Sequence, residues 1–284
     1  NHIFIIINIM MSFVVKNTTI RWLLDLFCPN TCLSCGRVGA NLCECCKKNI
    51  KWLGADELRE YVVKVDRIVW EWGGGAKNEV DSANRGGGSG ASGDDVVLDG
   101  LFAVGERSGV LEKMMHKYKF MGDRFLVDEI AGMMCERILR LAGEVMRCDG
   151  VTRMGDGSDG VIWEIMRSRV VVTAVPTIPR HVRERGFDHA GLLAEEIAAR
   201  LGCEYQEIFE RRKNTVQVGA DGETRKKQAK IAYEIKNEAK IAPERVYLVV
   251  DDVWTTGASV AAAAMKLKQK GALNVFGAVF LVGK

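Results

Sequence analysis

Residues 246–259 constrain this chain more than any other stretch. Val246-Tyr247-Leu248-Val249-Val250 is apolar and β-branched, the composition of a strand buried on both faces. It ends in Asp251 and Asp252, runs through Val253-Trp254-Thr255-Thr256-Gly257-Ala258-Ser259, and becomes helical over about residues 258–270. Strand, turn and helix in that order predict an α/β domain with a parallel sheet. Ligands of such sheets sit at the carboxyl ends of the strands. The helix N-terminus presents N–H groups and a positive dipole end to a phosphate. Thr255, Thr256 and Ser259 add hydroxyls, and Gly257 lets the backbone come close. Two acids would repel that phosphate. They suit sugar hydroxyls instead, or the outer shell of a metal, and a phosphorylated ribose satisfies both halves.

The rest of the chain supplies further α/β elements. Residues 169–175 form a continuous β-branched run, 189–201 are helical, and 275–282 read as a last strand. Residues 109–141 carry helical periodicity on two faces, with Lys119-Phe120-Met121-Gly122 separating the helices. Residues 20–27 read as a short amphipathic helix. Residues 61–72, rich in Val, Ile and Trp, read as a strand that pairs with a second one at 96–104. Between those two lies 73–95, which holds eight of the chain's 30 glycines and reads as a flexible excursion. Residues 148–160 form a second glycine-bearing loop.

Six of the nine cysteines fall between Cys28 and Cys46. Cys32, Cys35, Cys43 and Cys46 are spaced Cys-x2-Cys-x7-Cys-x2-Cys. Four thiolates suit tetrahedral Zn²⁺, and a closed four-sulfur site is structural because no position remains for water. Gly36 and Gly39 ease the turns. Cys45 should point away from the metal, while Cys28 could take the place of Cys32. Such spacing in a chain of 284 residues favours a reduced, cytoplasmic compartment over a disulfide scaffold. Cys135, Cys148 and Cys203 read as isolated core or surface thiols. Residues 3–15 are mostly apolar, but 13 residues are too few to cross a bilayer as a helix, so no stable membrane insertion is expected. The chain begins Asn1-His2, and the expected initiator is Met10 or Met11.

Residues 246–259 resemble the phosphoribosyl pyrophosphate (PRPP) motif of type I phosphoribosyltransferases. From about residue 27 to 283, apart from the two glycine-bearing loops, the chain looks like the ComF/GntX family, in which a zinc ribbon precedes such a domain. Further support comes from Lys119-Phe120-x-Gly122-Asp123, Val175-Pro176, Arg180-x-x-Arg183-x-Arg185-Gly186-Phe187, and Arg212-x-x-Thr215-x-Gln217 with Arg225 downstream. The resemblance implies a type I phosphoribosyltransferase-like parallel sheet with helices on both faces. The expected organisation is an N-terminal segment over 1–26, a zinc ribbon over 27–56 and the larger domain over 57–284. It implies catalytic roles for Asp251, Asp252, Arg183 and Arg185, the two acids contacting the ribose hydroxyls. PRPP would be held by Val253, Thr255, Thr256, Gly257, Ala258, Ser259, Arg180 and Lys119. Mg²⁺ would arrive with the pyrophosphate. Loss of pyrophosphate builds positive charge on the sugar and negative charge on the leaving group, so cations at the leaving group are the expected catalysts. The chain departs from the family at Ala174, Asp188, Gln228 and Trp254. Asp188 adds negative charge beside an anion site, and Trp254 is placed to narrow the base side or stack on a ligand.

Forty Lys and Arg against 37 Asp and Glu leave a net charge of +3, which by itself predicts no nucleic-acid partner. Basic clusters at Arg211-Arg212-Lys213 and Arg225-Lys226-Lys227 do allow single-stranded DNA, with Trp52 or Phe187 as stacking faces. The resemblance links the chain to DNA uptake during competence, and to proteins of that machinery. Two readings follow. One is a Mg²⁺-dependent phosphoribosyltransferase, a glycosyltransferase with an unidentified acceptor. The other is an inactive PRPP-binding relative that binds single-stranded DNA or partner proteins.

Overall fold

The computed structural model describes residues 29–71, 97–120, 126–148, 167–211 and 233–283. The segments predicted at 20–27 and 73–95, and most of the loop at 148–160, lie outside these residues. Seven strands are described: β1 (Gly100–Glu106), β2 (Val170–Ala174), β3 (Glu204–Tyr205), β4 (Phe209–Arg211), β5 (Tyr233–Ile235), β6 (Val246–Trp254) and β7 (Asn274–Val282). The helices are α1 (Glu44–Lys47), α2 (Ala55–Glu71), α3 (Gly109–Phe120), α4 (Leu126–Cys148), α5 (Pro179–Arg185), α6 (His189–Leu201) and α7 (Ala258–Gln269). Five strands form one parallel sheet in the order β1-β7-β6-β2-β3, and β4 pairs with β5 in a separate antiparallel ribbon.

Side chains alternate across the sheet, as a period of two requires. Val170, Val172, Leu248 and Val250 face α3, α4 and α6, where they meet Leu193, Ile197, Ile130 and Met114. Val171, Tyr247, Val249 and Val279 face the other way, towards α7 and Leu58 of α2. The α/β expectation with helices on both faces therefore holds. β6 lies between β2 and β7 and is buried on both sides, which is why its sequence is continuously apolar.

One expectation fails. Residues 61–71 belong to helix α2, not to a strand, so no strand there pairs with β1. The β-branched residues pointed to a strand, but the local start signals are helical. Asp56 and Glu57 occupy the first turn, where carboxylates favour the positive end of the dipole. Glu57 Oε2 reaches back to accept from the Gly54 N–H (2.7 Å), one half of a capping box. Leu58 then anchors the helix in the core.

Leu248→Ala should destabilise the chain by about 2–5 kcal/mol, because the side chain is buried in the central strand. Urea unfolding followed by circular dichroism measures it.

Candidate ligand crevice and metal centre

β2 and β6 run side by side only as far as Ala174 and Val250. Val175 N still donates to the Val250 carbonyl (2.9 Å), and beyond that point β6 continues to Trp254 beside β7 alone. From β2 the chain crosses through α6 to β3. From β6 it crosses through α7 to β7, in the opposite direction along the sheet. Parallel crossovers are right-handed, so the two connecting helices take opposite faces and their preceding loops diverge. Such a point of divergence is where open α/β sheets form a ligand crevice. Asp251 and Asp252 stand on its edge.

The two acids meet different surroundings. Asp252 Oδ2 is 2.7 Å from the Lys119 ammonium at the end of α3, with both side chains only about one-seventh exposed (14% and 16%). Beneath this pair His189 is 1% exposed, and its Nε2 stands 3.3 Å from the Lys119 carbonyl. Burial pulls the His189 imidazole down to about 4, so it is neutral at pH 7. Its ring packs on Phe187 (centroids 4.2 Å apart) and edge-on against Tyr118 (5.2 Å). The Tyr118 hydroxyl donates to the His189 carbonyl (2.9 Å).

Asp251 is pushed up to about 8, first by burial and then by the negative charge of Asp252. Burial, and after it the charge of Asp251, raises the phenol of the buried Tyr233 of β5, and its hydroxyl is hydrogen-bonded to Ser259. The Arg211 guanidinium lies 5.4 Å from the Tyr233 ring. The β4–β5 ribbon thus closes one side of the acid pair and α3 the other.

The turn after β6 is built as its residues suggest. Gly257 has φ +77°, a left-handed conformation that a side chain would strain, and it caps α7. Thr255 and Thr256 are exposed, Ser259 and Val253 are half-buried, and Ala258 is buried. Thr256 Oγ1 accepts from the Ala258 N–H (3.4 Å). Trp254 is 2% exposed within the α7-side core, so it neither narrows a base site nor stacks on a ligand. Its bulk fills the space beside Gly277.

The arginine run is a short helix, α5, not an open loop. Arg180 is turned onto Glu184 (2.6 Å), and Arg183 is exposed. Of the three arginines, Arg185 reaches the Lys119 end of the crevice, 5.0 Å from the Phe120 ring. Asp188 caps α6 by accepting from Gly191 N (3.2 Å), and it also takes the Thr177 hydroxyl. Its negative charge thus tethers the loop after β2. An Asp directly before a helical run is a legible N-cap signal. Nothing local in the sequence marks Tyr233 or His189.

The four cysteines converge. The sulfurs of Cys32, Cys35, Cys43 and Cys46 all lie within 4.8 Å of one another, and Cys35 Sγ is 3.7 Å from Cys43 Sγ. Tetrahedral sulfurs on 2.3 Å bonds stand about 3.8 Å apart, so the group fits a zinc ion. Gly36 and Gly39, at φ +73° and +119°, shape the first turn, and Thr31 bridges to Val38. The Cys43 backbone N–H, 3.5 Å from Cys32 Sγ, is the main cause that draws the Cys32 thiol down to about 6. A thiolate is the form a metal takes. Cys45 is exposed, with its sulfur 3.6 Å from Arg37. Cys32 and Leu42 are buried in the same apolar cluster as the α3–α4 face. Lys117 donates to Asn41 (3.0 Å) and Lys47 pairs with Glu136 (2.9 Å). Phe187 is buried, so it is not a free stacking face, and Trp52 is half-buried against this cluster.

No family model matches the chain. Two curated proteins, both described as DNA utilization protein YhgH, resemble it. One comes from Salmonella typhi and one from Salmonella typhimurium. Each is 27% identical over 178 residues, which cover 62% of this chain and 68% of the relative. No helix among the described residues is long and apolar enough to cross a membrane.

Two measurements follow. Elemental analysis should find one zinc per chain, and Cys43→Ala should lose it and lower the melting temperature. Asp251 keeps its proton up to about pH 8 when folded, against 3.8 in its ordinary state. Between those values the folded chain holds the extra proton, so this group's contribution to stability falls as pH rises from about 4 to 8. Asp251→Asn removes that fall. Its melting temperature should gain on the parent between pH 5 and pH 8, whereas an unchanging difference would contradict the raised Asp251 carboxyl.

Proposed function

We propose that this chain binds a phosphorylated ribose, PRPP, in the crevice between β2 and β6. The observation that carries the reading is the pair Asp251 and Asp252 at the carboxyl end of β6, one turn before the N-terminus of α7. Ribose hydroxyls are neutral and can approach carboxyls that a phosphate would avoid. The 5′-phosphate takes the Thr255–Ser259 turn, whose glycine and hydroxyls leave room and donors for its oxygens. Arg185 and Lys119 are the nearest cations for a pyrophosphate, with Arg183 and Arg180 further out on α5.

Among the described residues, the acid pair is not part of a converging group of metal ligands. Asp252 already holds an ammonium at 2.7 Å, and burial keeps Asp251 protonated near neutral pH. Mg²⁺ therefore fits as an ion that travels on the pyrophosphate and ribose oxygens. On binding, Lys119 exchanges Asp252 for the anion, and Asp252 becomes free to accept a hydroxyl. Transfer of the phosphoribosyl group to an acceptor is the enzymatic form of this reading, and PRPP binding without turnover is the other. The relatives described as DNA utilization proteins favour a role in DNA uptake for either form. The chain's resemblance to ComF/GntX proteins points the same way. The cysteine cluster, as a zinc ribbon, holds the segment before α2 against α3 and α4.

Calorimetry of PRPP with Mg²⁺ tests the site. The intact chain should give a saturable heat that Asp251→Asn/Asp252→Asn abolishes. A zinc-loaded, folded chain that takes up no PRPP would overturn the proposal.

A further inference from the structure

Helix α3 carries an outward face that its packing does not explain. Leu111, Met114, Met115 and Tyr118 are buried against the sheet. Lys113, His116 and Phe120, at spacings of three and four, are exposed. Phe120 is the last of them and follows Lys119, whose ammonium holds Asp252. The stripe therefore runs along the helix and ends at the mouth of the crevice.

Phe120 is 62% exposed, among the most exposed large apolar side chains described. It is not a stray surface residue. The Arg185 guanidinium lies over its ring at 5.0 Å, and the His116 ring stands 5.1 Å away at a 40° tilt. Two elements distant in sequence, α3 and α5, thus place a cation on an aromatic face and leave much of the ring to water. Among the described residues, the acids beside the stripe are already paired: Glu112 with Arg107 (2.9 Å) and Glu184 with Arg180 (2.6 Å). The stripe is left cationic and aromatic.

We propose that this face of α3, with Arg185, is a docking track for single-stranded DNA, with one base stacked on Phe120 and phosphates on Lys113 and Arg185. Aromatic faces with interleaved cations hold single strands because every base has a π-face. A duplex keeps its bases stacked on one another and cannot offer one. An acidic peptide would use the cations and ignore the ring. The inference deepens the DNA role proposed above by naming its surface, and it depends on that role but not on PRPP binding.

Fluorescence anisotropy of the full chain with labelled oligodeoxythymidylate tests it. Phe120→Ala should weaken binding by about fivefold or more, the scale of one lost base stack. Phe120→Trp should retain binding. Lys113→Ala should lower the slope of log K against log salt by about 0.7, one phosphate contact of a single strand. Phe120 is exposed, so melting curves of its variants should match the parent. Unchanged affinity in Phe120→Ala overturns the proposal, as does competition by a duplex or by polyglutamate equal to that of the single strand. PRPP calorimetry on the intact chain is read separately. A positive heat with no oligonucleotide effect would discard the track and keep the crevice.

Discussion

The parallel pairing of β6 with unequal neighbours governs this molecule. β7 accompanies β6 to Trp254, but β2 stops at Ala174, opposite Val250. Two acids could not sit deeper in the sheet, where carboxylates would meet mostly apolar neighbours such as Val172, Phe276 and Ala278. They are tolerated where one neighbour has turned away. There Asp252 finds an ammonium, and Asp251 keeps its proton. The same divergence sends the loops after β2 and β6 apart, the topology at which open α/β sheets take ligands. Site and sheet end are one feature of the fold.

The surroundings of the acid pair are assembled from distant segments. Lys119 comes from α3, His189 from α6, Tyr233 and Arg211 from the antiparallel ribbon, and Ser259 from α7. Their arrangement sets the charge state of the pair. Burial raises Asp251 more readily than it raises a group with an ion-pair partner, and Lys119 supplies that partner to Asp252. His189 stays neutral beneath them because its burial outweighs the attraction of Asp252. The result is a sheet end with little free charge, beside cations on α3 and α5.

The cysteine cluster contributes at a different level. Its four sulfurs need almost no apolar core of their own, yet Cys32 and Leu42 enter the core shared with α3 and α4. Asn41 accepts from Lys117 on the same helix that carries Lys119 and Phe120. The small N-terminal unit therefore braces the helix that forms one wall of the crevice. This gives a metal-binding segment a structural reason to precede an α/β sheet.

Much of this was legible in the residues. The continuous apolar run at 246–250, the acids after it and the Thr-Thr-Gly turn announce a buried parallel strand and a helix N-terminus, because these are local consequences of chain geometry. Cysteine spacing announces the metal cluster for the same reason: each pair closes over a short turn. Composition misled at 61–71, where β-branched residues suggested a strand, although Glu57 and its bond to Gly54 start a helix. It misled again at Trp254 and Phe187, because an aromatic residue does not reveal whether it faces core or solvent. Tertiary structure alone decided the rest. It brought Lys119 to Asp252 across more than a hundred residues, buried His189 under the pair, and joined Asp188 to the Thr177 hydroxyl. It also left Phe120 in water under Arg185. These depend on which faces of which helices meet the sheet, and burial, which sets charge state and exposure, exists only once they have met.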